Sequence, residues 1–159
     1  MSESNHLSLG IFRSLVGDKG DVWESIFQQP SDLQKALVTP PGSRGKKDLA
    51  ALQNLLKTIP IFRAFDGETM SALCNRVEYR TLKAKQTAYV QTDEMDGFCV
   101  LLSGRMVATI KNSEGRVVEI GSLEPFDDFG GFNLLQKDPT DRASLETYRA
   151  DCPSELLLL

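Results

Sequence analysis

The sequence has a single histidine, three cysteines and no strong surplus of charge, and each shortage removes a class of function. His6 sits in a polar terminal stretch, so no serine or cysteine has a histidine base nearby in the pattern that nucleophilic catalysis needs. Cys74, Cys99 and Cys152 are widely spaced, odd in number and never arranged as CxxC. That spacing excludes a disulfide framework and a zinc site. A net charge of −4 leaves no cluster of lysine and arginine to displace counterions from a nucleic acid. No apolar run approaches the roughly 20 residues that span a bilayer. The N-terminus also lacks the charged-then-apolar form of a signal sequence, and the expected location is the cytoplasm.

Two further motifs fail on their spacing. Gly42-Ser43-Arg44-Gly45-Lys46-Lys47 has its glycines too close for a phosphate loop, and no Ser or Thr follows the lysine to hold magnesium. A flexible linker accounts for it. Asp93-Glu94-Met95-Asp96-Gly97 is acidic, yet it lacks the alternating ligands and closing Glu of a calcium loop, and reads as a turn between strands. No metal, cofactor or enzymatic activity is expected.

What is present is a chain of 159 residues with 41% hydrophobic content, enough for one core and too short for two ordinary domains. Residues 1–45 form an N-terminal extension, helical or partly disordered, that ends in the Pro/Gly linker Thr39–Gly45. Within it Leu7, Ile11, Phe12 and Leu15 fall at helical spacing, and Ser31 to Gln34 has capping-box form ahead of Leu33, Ala36 and Leu37. A helix that docks a partner protein fits this pattern, as does one packed on its own domain. Trp23, near Ile26 and Phe27, is open to the same two readings.

From Asp48 the pattern sharpens. Leu49, Leu52, Leu55 and Leu56 make one apolar stripe that Pro60 terminates, and Ile61, Phe62 and Phe65 make a short connector. Asp66 then caps a second helix carrying Met70, Leu73, Cys74 and Val77. After Tyr79 the period becomes that of strands, with runs at 79–83, 86–90, 97–102, 105–111, 116–123, 146–150 and 155–159. Asn112 to Gly115 supplies a hairpin loop. A helical lead-in followed by strands so spaced gives an α+β fold with a small antiparallel barrel or jelly roll.

Two stretches carry a resemblance. Asp96-Gly97-Phe98 followed by Cys99 to Leu102 and closed by Ser103-Gly104 resembles the strand signature of cyclic nucleotide-binding domains. Pro125 to Ser144 (PFDDFGGFNLLQKDPTDRAS) resembles that family's phosphate-binding cassette in degenerate form, in the right order and at about the right distance. With the helices, the likeness covers roughly Lys46 to Leu159. It implies a regulatory domain for cAMP or cGMP at 46–159, with the nucleotide held by Gly130, Gly131, Phe132, Asn133, Arg142, Ala143 and Ser144.

Phe129-Gly130 matches the cassette's start, and Leu134-Leu135 its apolar pair. Free N–H groups at the start of the family's short helix would face a phosphate. Gly131 stands where the family has the glutamate that accepts the ribose hydroxyl, and Phe132 and Asn133 depart from the small aliphatic pattern. Hydrogen bonds to charged groups contribute about 1.5–3 kcal/mol, so losing that contact weakens binding roughly tenfold or more. Arg142, seven residues after Leu135 and followed by Ala143-Ser144, resembles the phosphate-binding arginine. Counting back from the last strand puts Ser144 at that position instead. Asp138 and Asp141 flank Arg142 and compete with a phosphate for it.

The family's barrel is normally followed by lid helices, whereas this sequence ends at Leu159 inside the last expected strand. A product truncated there, or one whose open end a partner covers, is the expectation. Two functions follow: a non-catalytic cyclic nucleotide-binding module, or a ligand-free scaffold of the same fold that binds another protein through its extension or its open barrel end.

Overall fold

Pro60 and Asp66 punctuate the helical half of the chain as their chemistry dictates. The structure, a computed structural model, describes residues 30–95, 97–130 and 143–159. The residues singled out between Leu7 and Phe27, and the cassette positions Gly131 to Arg142, lie outside the described residues, as does Asp96. The chain divides into two compact units, a helical one up to Tyr79 that also takes in Leu159, and a β one from Arg80 to Leu158.

In the helical unit, α1 (Pro30–Val38) buries Leu33, Ala36 and Leu37, the residues that its helical spacing places on one face. Helix α2 (Lys46–Thr58) starts where the Asp48 carboxylate accepts the Gly45 N–H at 3.0 Å, and it buries Leu52, Leu55 and Leu56 completely. It packs against α1 and against α3 (Gly67–Arg76). Pro60 stops α2 and opens a single 3₁₀ turn, Pro60–Phe62, in which Phe62 is buried while Ile61 and Phe65 stay exposed. Asp66 caps α3 as its sequence position requires, Oδ1 accepting the Thr69 N–H at 2.7 Å.

The segment between α1 and α2 has an internal clasp that composition did not disclose. Arg44 is only 8% exposed. Its guanidinium donates to the carbonyls of Ala36 (3.2 Å) and Thr39 (3.0 Å) at the end of α1, and to that of Cys74 (2.9 Å) near the end of α3. One cation thus satisfies orphan carbonyls at two helix C-termini. Burial lowers its pKa from the ordinary value, and the nearby Cys74 and Asp48 oppose that shift.

The β unit is built from two four-stranded sheets whose described strand registers are all antiparallel. One has the order β1-β8-β3-β6 and the other β2-β7-β4-β5, with β1 Glu78–Leu82, β2 Thr87–Tyr89, β3 Cys99–Ser103, β4 Met106–Lys111, β5 Val117–Leu123, β6 Asp128–Phe129, β7 Thr147–Ala150 and β8 Ser154–Leu158. This is the expected jelly-roll arrangement, with one strand added. The two-residue β6 is too short to show a period, which is why the strand count from sequence missed it.

Strands β3 and β8 are buried along their whole length on both faces. They therefore read as continuous apolar runs and show no alternation. Ser103 and Glu155 are the polar exceptions, and the Ser103 hydroxyl donates to Glu155 Oε1 at 2.7 Å. The turn after Ser103 needs glycine, since Gly104 has φ +89° and a Cβ there would stand 2.6 Å from the Pro153 carbonyl. The β4–β5 hairpin closes on Asn112, whose Oδ1 accepts the N–H groups of Glu114 and Arg116 at 3.0 and 2.9 Å, while Gly115 takes the positive φ.

Candidate functional site

The site grows from one cross-strand row. On the second sheet Tyr148 of β7 lies opposite Ala108 of β4, which lies opposite Gly121 of β5. Two small neighbours leave space beside a large one. Phe129 of β6, from the other sheet, stacks on Tyr148 with ring centroids 4.2 Å apart and planes 24° apart. Tyr89 meets the edge of Phe129 at 6.5 Å. The result is a cavity of about 280 Å³ lined by Ala108, Ile120, Gly121, Ser122, Leu123, Asp128, Phe129, Glu146 and Tyr148.

Its polar chemistry is acidic. Asp128 and Glu146 bring carboxylates, and no lysine or arginine is among the described lining residues. The Tyr148 hydroxyl donates to Glu146 Oε2. Burial, reinforced by that bond and by the negative charge of Glu146, pushes the Tyr148 phenol well above its usual pKa. Tyr148 is therefore a fixed donor that orients Glu146.

The cassette positions divide between described and undescribed residues. Gly130 follows Phe129 with φ +91°, and a Cβ there would collide with Met95 Cε and fall 3.1 Å from the Gly97 carbonyl. At the far end Ala143 forms an isolated bridge with Glu94. Ser144 is buried. Its N–H donates to Asp93 O at 2.7 Å, its carbonyl accepts from Thr92 N–H at 2.8 Å, and its hydroxyl donates to Glu146 O at 2.6 Å. Both ends of the cassette thus rest on the segment 92–97. Gly131, Phe132, Asn133 and Arg142 lie outside the described residues.

No protein-family model matches the sequence, and no curated protein matches it by sequence. Solved structures do. The guanosine-bound regulatory subunit of a cAMP-independent protein kinase A from Trypanosoma cruzi superposes with a TM-score of 0.63 at 11% identity, over 70% of this chain and 38% of that one. The regulatory domain of Toxoplasma gondii PKA with cAMP gives 0.61 at 16% identity, over 73% and 42%. The sensor domain of the transcriptional regulator DNR from Pseudomonas aeruginosa gives 0.61 at 17% identity, over 69% and 71%.

The fold is that of the cyclic nucleotide-binding domains. The chain spans well under half of the two kinase regulatory chains, so what it shares with them is this one fold unit. Within the cyclic nucleotide-binding fold, the strand signature read from sequence is β3 with its Ser103-Gly104 turn, and Phe129-Gly130 is β6 with the residue that follows.

Sequence reasoning did not single out Glu146, Tyr148, Asp128 or Gly121 as site residues. Gly121 carried the one usable signal, since glycine inside a strand pattern often marks a place where something must approach closely. The others are visible only once β6 and β7 face each other. Among the described residues no group of three potential metal ligands assembles, and no helix is long and apolar enough to cross a membrane.

Proposed function

We propose that the chain is a non-catalytic regulatory module of cyclic nucleotide-binding type, working in the cytoplasm, whose ligand sits in the cavity bounded by β4, β5, β6 and β7. The observation that carries this reading is the small, aromatic-walled cavity directly beside Phe129-Gly130, the start of the cassette. Sites that bind small molecules pair apolar walls with a few fixed polar groups, and this one, though open to solvent, sets the Phe129–Tyr148 rings beside Glu146 at the small end of the size range. Two of the similar structures hold guanosine and cAMP, which supports a nucleotide or nucleoside as the ligand class. By the cassette resemblance, Gly131, Phe132, Asn133, Arg142 and Ala143 complete the ligand's surroundings, with residues 1–45 as an extension available to a partner protein.

The test is calorimetric titration of the folded chain with cAMP, cGMP, adenosine and guanosine to millimolar concentration, repeated on Gly121→Val and Arg142→Ala. A Cβ at Gly121 meets no atom within 4 Å, so valine adds bulk at the cavity wall without a backbone clash. Saturable binding that Gly121→Val abolishes supports the module. Loss in Arg142→Ala of cyclic nucleotide binding alone assigns the phosphate to that arginine. A folded sample silent toward all four ligands supports the second reading, a ligand-free scaffold. The acidic lining is the observation that favours this alternative.

A further inference from the structure

We propose that the turn 90–93 is a strained catch for Ser144, which opens without unfolding of the β unit and gives the far end of the cassette two states, held and free. The catch belongs to the framework and exists whatever occupies the cavity.

Three turns of the β unit, 83–86, 90–93 and 124–127, share one build. In each, the N–H of the fourth residue donates to the carbonyl of the first: Gln86 to Lys83 at 3.1 Å, Asp93 to Val90 at 2.9 Å and Asp127 to Glu124 at 3.0 Å. The side chain of that fourth residue accepts the N–H of the first in all three. The third residue has a positive φ, +71° at Lys85, +79° at Thr92 and +77° at Phe126. This is the type II form, whose third position calls for glycine. None of the three supplies it.

Each turn then clasps a single residue through two backbone bonds. Lys85 and Gln86 hold Ala150, whose carbonyl accepts at 2.7 Å and whose N–H donates at 2.8 Å. Phe126 and Asp127 hold Leu101 in the same way at 2.6 and 3.0 Å, and Thr92 and Asp93 hold Ser144 at 2.8 and 2.7 Å. The bonds match, but the clasped residues do not. Leu101 is also paired with Leu156 of β8, and Ala150 with Met106 of β4, so opening either clasp disturbs a ladder. Ser144 lies outside the strands, next to the isolated bridge between Glu94 and Ala143.

The strain is unequal as well. A positive φ is hardest on β-branched and bulky residues, here Thr92 and Phe126. Such strain counts against the closed form and persists only where the surroundings over-determine it. Phe126 has the β3 ladder behind its clasp, whereas Thr92 holds a residue with no strand around it. Because Ala143-Ser144 ends the cassette, a ligand or partner that prefers the held form closes the catch and one that prefers the free form opens it. The shift is as large as the difference between its two affinities.

Native-state hydrogen exchange of the whole chain, read residue by residue by NMR, tests this by comparing the amide of Ser144 with those of Leu101 and Ala150, which donate the equivalent bond. The Ser144 amide is expected to be at least tenfold less protected than either. Thr92→Gly relieves the φ, and after glycine's greater freedom in the open form is set against that relief it should slow Ser144 exchange about fivefold. Thr92→Asn, which tolerates the left-handed region, should move it in the same direction. Lys85→Gly relieves the equivalent turn and should slow Ala150 while leaving Ser144 unchanged, because a local opening does not involve that turn. Protection of Ser144 equal to that of Leu101 and Ala150 overturns the proposal, as does a Ser144 amide that Lys85→Gly slows as much as Ala150. Ser144 exchange untouched by both Thr92 variants overturns it too.

Discussion

Phe129 and Tyr148 belong to different sheets, yet their rings stack 4.2 Å apart and so form a direct bridge between the two layers of the β unit. Both are nearly buried, and Tyr89 closes on the edge of Phe129. Removing Phe129 takes away apolar burial and two aromatic contacts at once. Phe129→Ala is expected to lower stability by about 3–5 kcal/mol, read as a shift of the urea midpoint with unchanged slope. Phe129→Leu, which retains much of the buried volume, should recover a large part of that loss.

Three glycines of the β unit should respond to alanine in a fixed order. At Gly104 the new Cβ meets backbone, the Pro153 carbonyl at 2.6 Å, on top of a positive φ. At Gly130 the φ is also positive, but the nearest atom is the mobile end of Met95. At Gly121 nothing stands within 4 Å and φ is not in the left-handed region. A left-handed backbone costs a non-glycine residue about 1–2 kcal/mol before any clash. Thermal melts should therefore rank Gly104→Ala as most damaging, Gly130→Ala as intermediate and Gly121→Ala as near neutral. Equal melting temperatures for the first and third would contradict the geometry.

Arg44 makes a prediction for the helical unit. Arg44→Met keeps the stem and strands the carbonyls of Ala36, Thr39 and Cys74, with an expected loss of about 3 kcal/mol. Arg44→Lys retains the charge but cannot reach three carbonyls with a planar fork, so it should restore less than half of the difference. Chemical denaturation of the whole chain reads both.

Cys74 gives stability a dependence on alkaline pH. Burial, partly offset by the charge of Arg44, raises its thiol from the ordinary value of 9.0 to about 11. The folded state therefore holds this proton more tightly than the unfolded chain. The associated stability is complete below about pH 9 and is lost as pH climbs toward 11. Cys74→Ala should be less stable at neutral pH because of the cavity it leaves, yet its stability should fall less steeply over that interval. A slope identical to that of the unmodified chain would show that the titration resides elsewhere.

Much of the fold was legible because its signals are local. The stripe from Leu49 to Leu56, the stop at Pro60 and the cap at Asp66 each act within a turn or two of helix, and the helices α2 and α3 appear within two residues of those marks. The hairpin at Asn112–Gly115 is local in the same way. Arg44 escaped notice because its partners lie 5, 8 and 30 residues away, and its flanking Pro and Gly residues advertise only a chain break. Of the cavity's lining, Phe129 lies in a motif that the sequence singles out, whereas Glu146 and Asp128 are ordinary surface-type residues until two sheets bring them to one wall.

Gly130 and Ala143-Ser144 are both seated on residues 92–97, through Met95 and Gly97 at one end and Thr92, Asp93 and Glu94 at the other. Two stretches that lie 13 residues apart in sequence are therefore held by one short piece of the framework, and a substitution that displaces 92–95 is felt at Gly130 and at Ser144 together.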